Sequence, residues 1–383
     1  EFGYPQSNER GEKLYARLLK NMTGRREAGK IFGDFYRKNL LKWGFEEGIV
    51  DRRLFYKRTP GGRLGVVLGV HVDDNLSLVL DRATYADFKT RWSQVFTSSQ
   101  TTKDPREVSF AGINFRRVDE RTISIGGGEE IMDSLAAALD SARSFGGWPA
   151  MLYDEVPMAG DALAKLQAPA SDGEQPPAAD HHSLARSLLG ISGWVSGQWR
   201  PEAWFAFIAI SQQISTNFTK AVWRCLVQAC SYLLRTRHYR LTFRRALPPG
   251  GGEASAAEAS AGFLWKLATA SSSLDSGAGS FGGSCTFGVS AGTTPTGSMH
   301  WRVNAPKAIT DSSGGAELMQ LSYATKEVAA LRLQLAELGL PLRAPTTVDV
   351  DATVALAGPL RDRVARKSRF LAARLAMVRQ AIQ

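Results

Sequence analysis

One stretch constrains the fold more than any other: Val66-Val67-Leu68-Gly69-Val70-His71-Val72-Asp73-Asp74-Asn75-Leu76-Ser77-Leu78-Val79-Leu80. Two apolar runs rich in β-branched residues flank Asp73-Asp74-Asn75, the pattern of a β-hairpin. Two neighbouring carboxylates at a hairpin tip repel each other. A hard divalent cation such as Mg²⁺ relieves that repulsion and prefers carboxylate oxygens. A solvated turn is the alternative, because Asp and Asn favour turns for purely local reasons.

The chain has 383 residues, enough for two or three domains around a substantial core. It is 44% apolar and 22% charged, a globular composition. No apolar run is long enough to span a bilayer, so no membrane partner is expected. The formal net charge of +10 favours a polyanion, nucleic acid first and an anionic membrane surface second. An ordinary solvated basic surface gives the same balance. Cys225, Cys230 and Cys285 have no metal-ligand spacing and point to a reducing compartment. The expected location is therefore intracellular, cytoplasmic or nuclear. The sequence opens at Glu1 with no signal peptide and reads as a segment of a longer product.

The pattern along the chain is that of an α+β (mixed α/β) protein. Leu14 to Leu41 has helical spacing, interrupted at Thr23-Gly24, with Gly44 as a C-cap before an edge strand. Tyr85 to Phe96 reads as a helix under the hairpin. Phe110 to Phe115 alternates as one strand, with Thr122 to Ile125 as its return. A short helix follows over Glu129 to Leu139. Residues 146–180, rich in Pro, Gly and Ala, read as a loop or poorly ordered connection. Asp180 is placed to N-cap the next helix, and adjacent His181 and His182 point to different faces, too divergent for one metal. Val222, Leu226, Ala229 and Leu233 form one helical stripe and are core. Lys220, Arg224, Arg235 and Arg237 are candidates to follow a phosphate backbone, and a solvated helix face accounts for them equally well. Residues 247–261 read as a linker. Beyond it come a strand meander over Ser271 to Gly292, a helix over Ala316 to Leu338, a buried strand over Thr346 to Asp351, and a basic helix over Arg361 to Gln383.

The ordered motifs resemble the polyprotein of copia-type retrotransposons. Val72-Asp73-Asp74 is similar to the Tyr-x-Asp-Asp hairpin of reverse transcriptases, with His71 where the aromatic residue stands. Lys20, Gly24 and Ala28 match a family helix. Arg186 to Trp194 resembles its Arg-x-Leu-x-Gly-x-x-x-Trp, Arg200-Pro201-Glu202 its Arg-Pro-Asp, and Tyr232 to Thr236 its Tyr-Leu-x-x-Thr. Ala316 to Glu327 resembles Ala-Glu-Tyr-x-x-Leu-x-x-Ala-x-Lys-Glu of the family's ribonuclease H, and Asp351 falls on its strand-end Asp. The resemblance implies a partial reverse-transcriptase palm over 1–125, thumb- or connection-like helices over 126–246, and a ribonuclease H-like domain over 262–383. It implies RNA-directed DNA polymerase descent, with an RNA template, a DNA primer or an RNA–DNA hybrid as partner.

Catalysis in such a family uses pairs of Mg²⁺ ions held by carboxylates. Asp73 and Asp74 supply two of the three polymerase ligands, and the upstream strand that carries the third is missing. Glu317 and Asp351 supply two of the four ribonuclease H ligands. The other two positions fall near Thr269 and Ala372, which bring no carboxylate. Both sites are expected to be impaired, with Glu317 and Asp351 reduced to exposed polar residues. A non-catalytic basic remnant that still binds nucleic acid is the second expectation. An unrelated basic α/β interaction protein is the third.

Overall fold

The computed structural model describes residues 10, 13, 27–97, 106–142, 155–174, 178–244, 266–275, 280–289, 295–304, 313–340, 342, 345–350 and 372–382. The chain is mixed α and β and divides into two compact units, Glu1–Ser98 and Ser99–Gln383. The matches at Lys20 and Gly24, the 247–261 linker and Asp351 lie outside the described residues.

In the first unit, helix α1 (Ala28–Lys42) ends where Gly44 takes φ +83°. The Phe45 amide donates to Leu40 O at 3.0 Å and the Gly44 amide to Leu41 O at 3.1 Å. This closes the last turn with a left-handed residue that only glycine adopts without strain, as the sequence suggested. Strands β1 (Glu46–Glu47), β2 (Leu54–Arg58), β3 (Leu64–His71) and β4 (Asp74–Val79) form an antiparallel sheet in that order. Phe55, Val66 and Leu68 point from the sheet into a core with Tyr36, Leu40, Trp43, Phe45 and Phe88. Helix α2 (Arg82–Ser93) starts at Asp81, whose carboxylate accepts from the Thr84 amide at 2.7 Å. Its start lies close on β3, because a Cβ at Gly65 would sit 3.0 Å from Thr84 Oγ1. Lys57 on β2 holds Asp87 of α2 at 2.7 Å.

In the second unit, β5 (Glu107–Phe110), β6 (Ile113–Arg117), β7 (Thr122–Gly127) and β8 (Leu241–Arg244) form an antiparallel sheet. The single strand expected over Phe110 to Phe115 is two strands. Ala111 and Gly112 take φ +50° and +78°, the paired left-handed conformation of a two-residue hairpin turn. Residues 107–127, which the sequence reading put with the palm, pair through β7 with β8 of this unit. Helices α3 (Glu129–Ser141), α4 (Ala162–Gln167), α5 (Ala179–Gln198), α6 (Pro201–Ile214) and α7 (Lys220–Arg235) build the main core. The expected stripe of Val222, Leu226, Ala229 and Leu233 is fully buried in it. Helix α4 corrects the expectation of a loop throughout 146–180, since Ala162 and Leu166 anchor it in that core. Asp180 is not the N-cap of α5; Ala178 is, and Asp180 lies in the first turn, where a carboxylate still complements the helix dipole.

Strands β9 (Lys266–Asp275), β10 (Ser280–Val289) and β11 (Pro295–Asn304) form the expected meander. The long helix α8 (Ser313–Glu337) then carries the chain over to β12 (Thr347–Val350), which pairs parallel to β9. A parallel partner needs such a crossover. The strand order is β11-β10-β9-β12. As an edge strand β12 is half-buried rather than buried, with Asp349 exposed. Helix α9 (Ala372–Ile382) packs Leu375 and Val378 against Leu318 and Leu321 of α8.

Candidate functional site: the acidic hairpin, the buried acid of α8 and the basic surface

The hairpin register pairs Val66 with Val79, Val67 with Leu78 and His71 with Asp74. Matching the apolar residues on each face leaves only Val72 and Asp73 in the turn. The expected tip at Asp73-Asp74-Asn75 is therefore shifted by one residue, and Asp74 opens β4. Val72 takes φ +54°, a conformation that strains a β-branched side chain. Asp73 and Asp74 are both exposed. Behind them, the buried Tyr36 hydroxyl of α1 donates to Asn75 Oδ1. Burial pushes the Tyr36 phenol well above its ordinary value, an effect the Asn75 bond partly offsets.

Two exposed carboxylates and water can hold one Mg²⁺. The two-ion arrangement needs a third acid, and among the described residues no group of three His, Cys, Asp or Glu side chains could hold a metal.

Glu317 is 5% exposed, which corrects the expectation of an exposed polar residue. It lies in the first turns of α8, the helix that packs on β9, β10 and β12. Gln320, one turn on, is buried against Gly282 of β10, where a Cβ would clash with its amide. Thr269 sits on β9 between Thr286 of β10 and Val348 of β12, and Ala372 opens α9. The two positions where the resemblance asks for carboxylates are thus placed in the fold and carry none.

Lys220, Arg224 and Arg235 are exposed along one face of α7. Lys220 and Arg224 share a cleft with Lys165 and with Asp161, Asp172 and Glu174, so its charges balance. Arg237 is held by Glu129 and by Asp133, the latter at 2.8 Å, which neutralises it and removes it from a phosphate-contacting set. The sequence reading missed a more basic cleft on the same unit, lined by Arg116, Tyr239 and Arg240. The run Arg237-His238-Tyr239-Arg240, cations around an aromatic residue, was its available signal.

Among the described residues no helix is long and apolar enough to cross a membrane. No family model matches the chain, and no curated protein matches it.

Proposed function

We propose that this chain is a segment of copia-type reverse transcriptase and ribonuclease H that binds an RNA–DNA hybrid and lacks the carboxylate sets for efficient turnover. The observation that carries this reading is the element order of the second unit. A three-strand meander, a long helix with Glu317 near its start, a fourth strand parallel to the first and a final helix follow the order that the resemblance implies. The Asp73–Asp74 hairpin, backed by α1 and α2, supports the palm half of the reading. Thr269 and Ala372 supply none of the charge that retains Mg²⁺. The net charge of +10 favours the polyanionic partner.

One observation favours a working polymerase site instead. The strained Val72 beside Asp73 is the kind of backbone outlier that persists at functional sites.

Fluorescence anisotropy with a labelled RNA–DNA hybrid tests the first reading. Binding should weaken at least about tenfold between roughly 50 and 200 mM salt. Absence of binding at low salt rejects it. Primer extension on an RNA template with Mg²⁺ tests the second, beside an Asp74→Asn control. Extension that the control abolishes establishes a live site, and none is expected.

A further inference from the structure

A cleft of about 630 Å³ opens where the α5–α6 corner meets the β6-β7-β8 sheet. That volume lies within the range of small-molecule sites. Its floor is one row across the sheet, in which Arg116 pairs with Ser124 and Ser124 with Thr242. Residues directly opposite in a sheet share a face, so one guanidinium and two hydroxyls lie side by side. Arg240 is two residues from Thr242 on the same face. It lies across Gly126, where a Cβ would come within 2.8 Å of its Nη1. Glycine at that position is what lets the Arg240 side chain lie along the strand.

The wall is held rigidly. Arg200, 2% exposed, donates from Nε to Glu202 Oε1 at 2.5 Å, from Nη1 to Thr236 O at 3.0 Å and from Nη2 to Thr236 Oγ1 at 2.5 Å. Its guanidinium also stands 5.3 Å from the ring centres of Tyr232 and Tyr239. Arg200 therefore fixes Tyr239 at the rim, with 49% of that residue open to solvent. Among the lining residues, Glu202 is the acid, and Arg200 already binds it. Arg116 and Arg240 are exposed, and neither has an acidic partner within ion-pair distance among the described residues.

Forked guanidinium groups beside small hydroxyls suit a phosphate. An open aromatic ring at the rim suits a nucleobase face. We propose that this cleft takes one nucleoside monophosphate unit, with the phosphate on Arg116, Arg240, Ser124 and Thr242 and the base stacked on Tyr239. The inference rests on the nucleic-acid reading above and adds a place and a stoichiometry to it.

The test is anisotropy of the full chain with a fluorescein-labelled single-stranded 12-mer, together with calorimetric titration of a free mononucleotide. The two arms distinguish a strand from a free nucleotide as the source. The Arg116→Ala/Arg240→Ala variant should weaken the arm that binds by tenfold or more. For a strand it should also reduce the slope of log Kd against log salt by about 1.4, since each lost phosphate contact contributes about 0.7. Tyr239→Ala should weaken binding about tenfold, and Tyr239→Phe, which keeps the ring, should restore it. A Lys220→Ala/Arg224→Ala variant in the charge-balanced cleft should bind as the parent does. Unchanged thermal melting of each variant excludes misfolding. The proposal is overturned if the Arg116/Arg240 variant binds like the parent, or if the parent binds neither ligand. Intact hybrid binding alongside either result leaves the general nucleic-acid reading standing, whereas loss of hybrid binding by the parent removes that reading itself.

Discussion

The Tyr36 hydroxyl on α1 donates to Asn75 Oδ1 on β4, one residue beyond the acidic pair. The phenol is 2% exposed, so a helix buried behind the sheet fixes the strand that carries Asp74. Burial raises the folded-state pKa above the unfolded value of about 10. A raised pKa contributes stability that is fully present below the unfolded value and is lost as pH climbs through the folded one. The first unit should therefore weaken above about pH 10. Tyr36→Phe should remove that alkaline limb and cost about 1 kcal/mol at neutral pH through the lost hydrogen bond. Hydrogen exchange of peptides from 64–79, followed from pH 8 to pH 11, checks both. An identical alkaline profile in parent and variant would reject the assignment.

Val72 gives a prediction of opposite sign. Its left-handed φ of +54° costs a residue with a Cβ about 1–2 kcal/mol. Val72 is also exposed, so little packing is lost when its side chain is removed. Val72→Gly should stabilise the hairpin by about 1 kcal/mol after glycine's greater chain entropy is subtracted. Slower exchange of the β3 and β4 amides is the expected readout. Faster exchange would mean that the Val72 side chain contributes contacts that outweigh the strain.

Elements with strong local signals were legible in the sequence. The Val222–Leu233 stripe, the Gly44 cap and the β9–β11 meander follow from periodicity and from glycine. What depends on distant pairing was not legible. The acidic turn moved by one residue because its register is set by Val67 against Leu78 and Val66 against Val79, not by the turn residues. Ala111-Gly112 reads as part of an alternating strand until both residues are seen at positive φ. Glu317 was expected at the surface because acids usually are, and only the docking of α8 on β9, β10 and β12 buries it. The cleft at Arg116 and Arg240 joins residues more than a hundred positions apart, which no local pattern reveals.

Gly127 at the end of β7 is a position where space decides. The Trp199 ring lies directly on it, so that a Cβ would overlap Cη2 and Cζ2. Trp199 is buried in the main core and packs edge-on against Trp194 at 5.3 Å. Neither the ring nor the backbone can retreat without disturbing that core. Gly127→Ala should destabilise the second unit by about 1–3 kcal/mol. A denaturant midpoint within error of the parent would show that Trp199 has room to shift.

Glu327 on α8 ties the helix to two strands. Its carboxylate, with the side chain 14% exposed, accepts from Ser284 Oγ of β10 at 3.0 Å and from Arg302 Nη1 of β11 at 3.0 Å. His300 Nδ1 stands 3.6 Å away, beyond hydrogen-bonding distance. The two bonded partners are not equivalent once the acid is gone. Arg302 is about half open to solvent and can rehydrate, so Arg302→Ala should cost less than about 1 kcal/mol. Ser284 is buried, and its hydroxyl loses this acceptor in Glu327→Ala, which should cost about 1–3 kcal/mol. A double-mutant cycle between Glu327→Ala and Ser284→Ala should return a coupling of about 1 kcal/mol. The opposite ranking, with Arg302→Ala costing more than Glu327→Ala, would place the stabilisation in the ion pair rather than in the buried hydrogen bond.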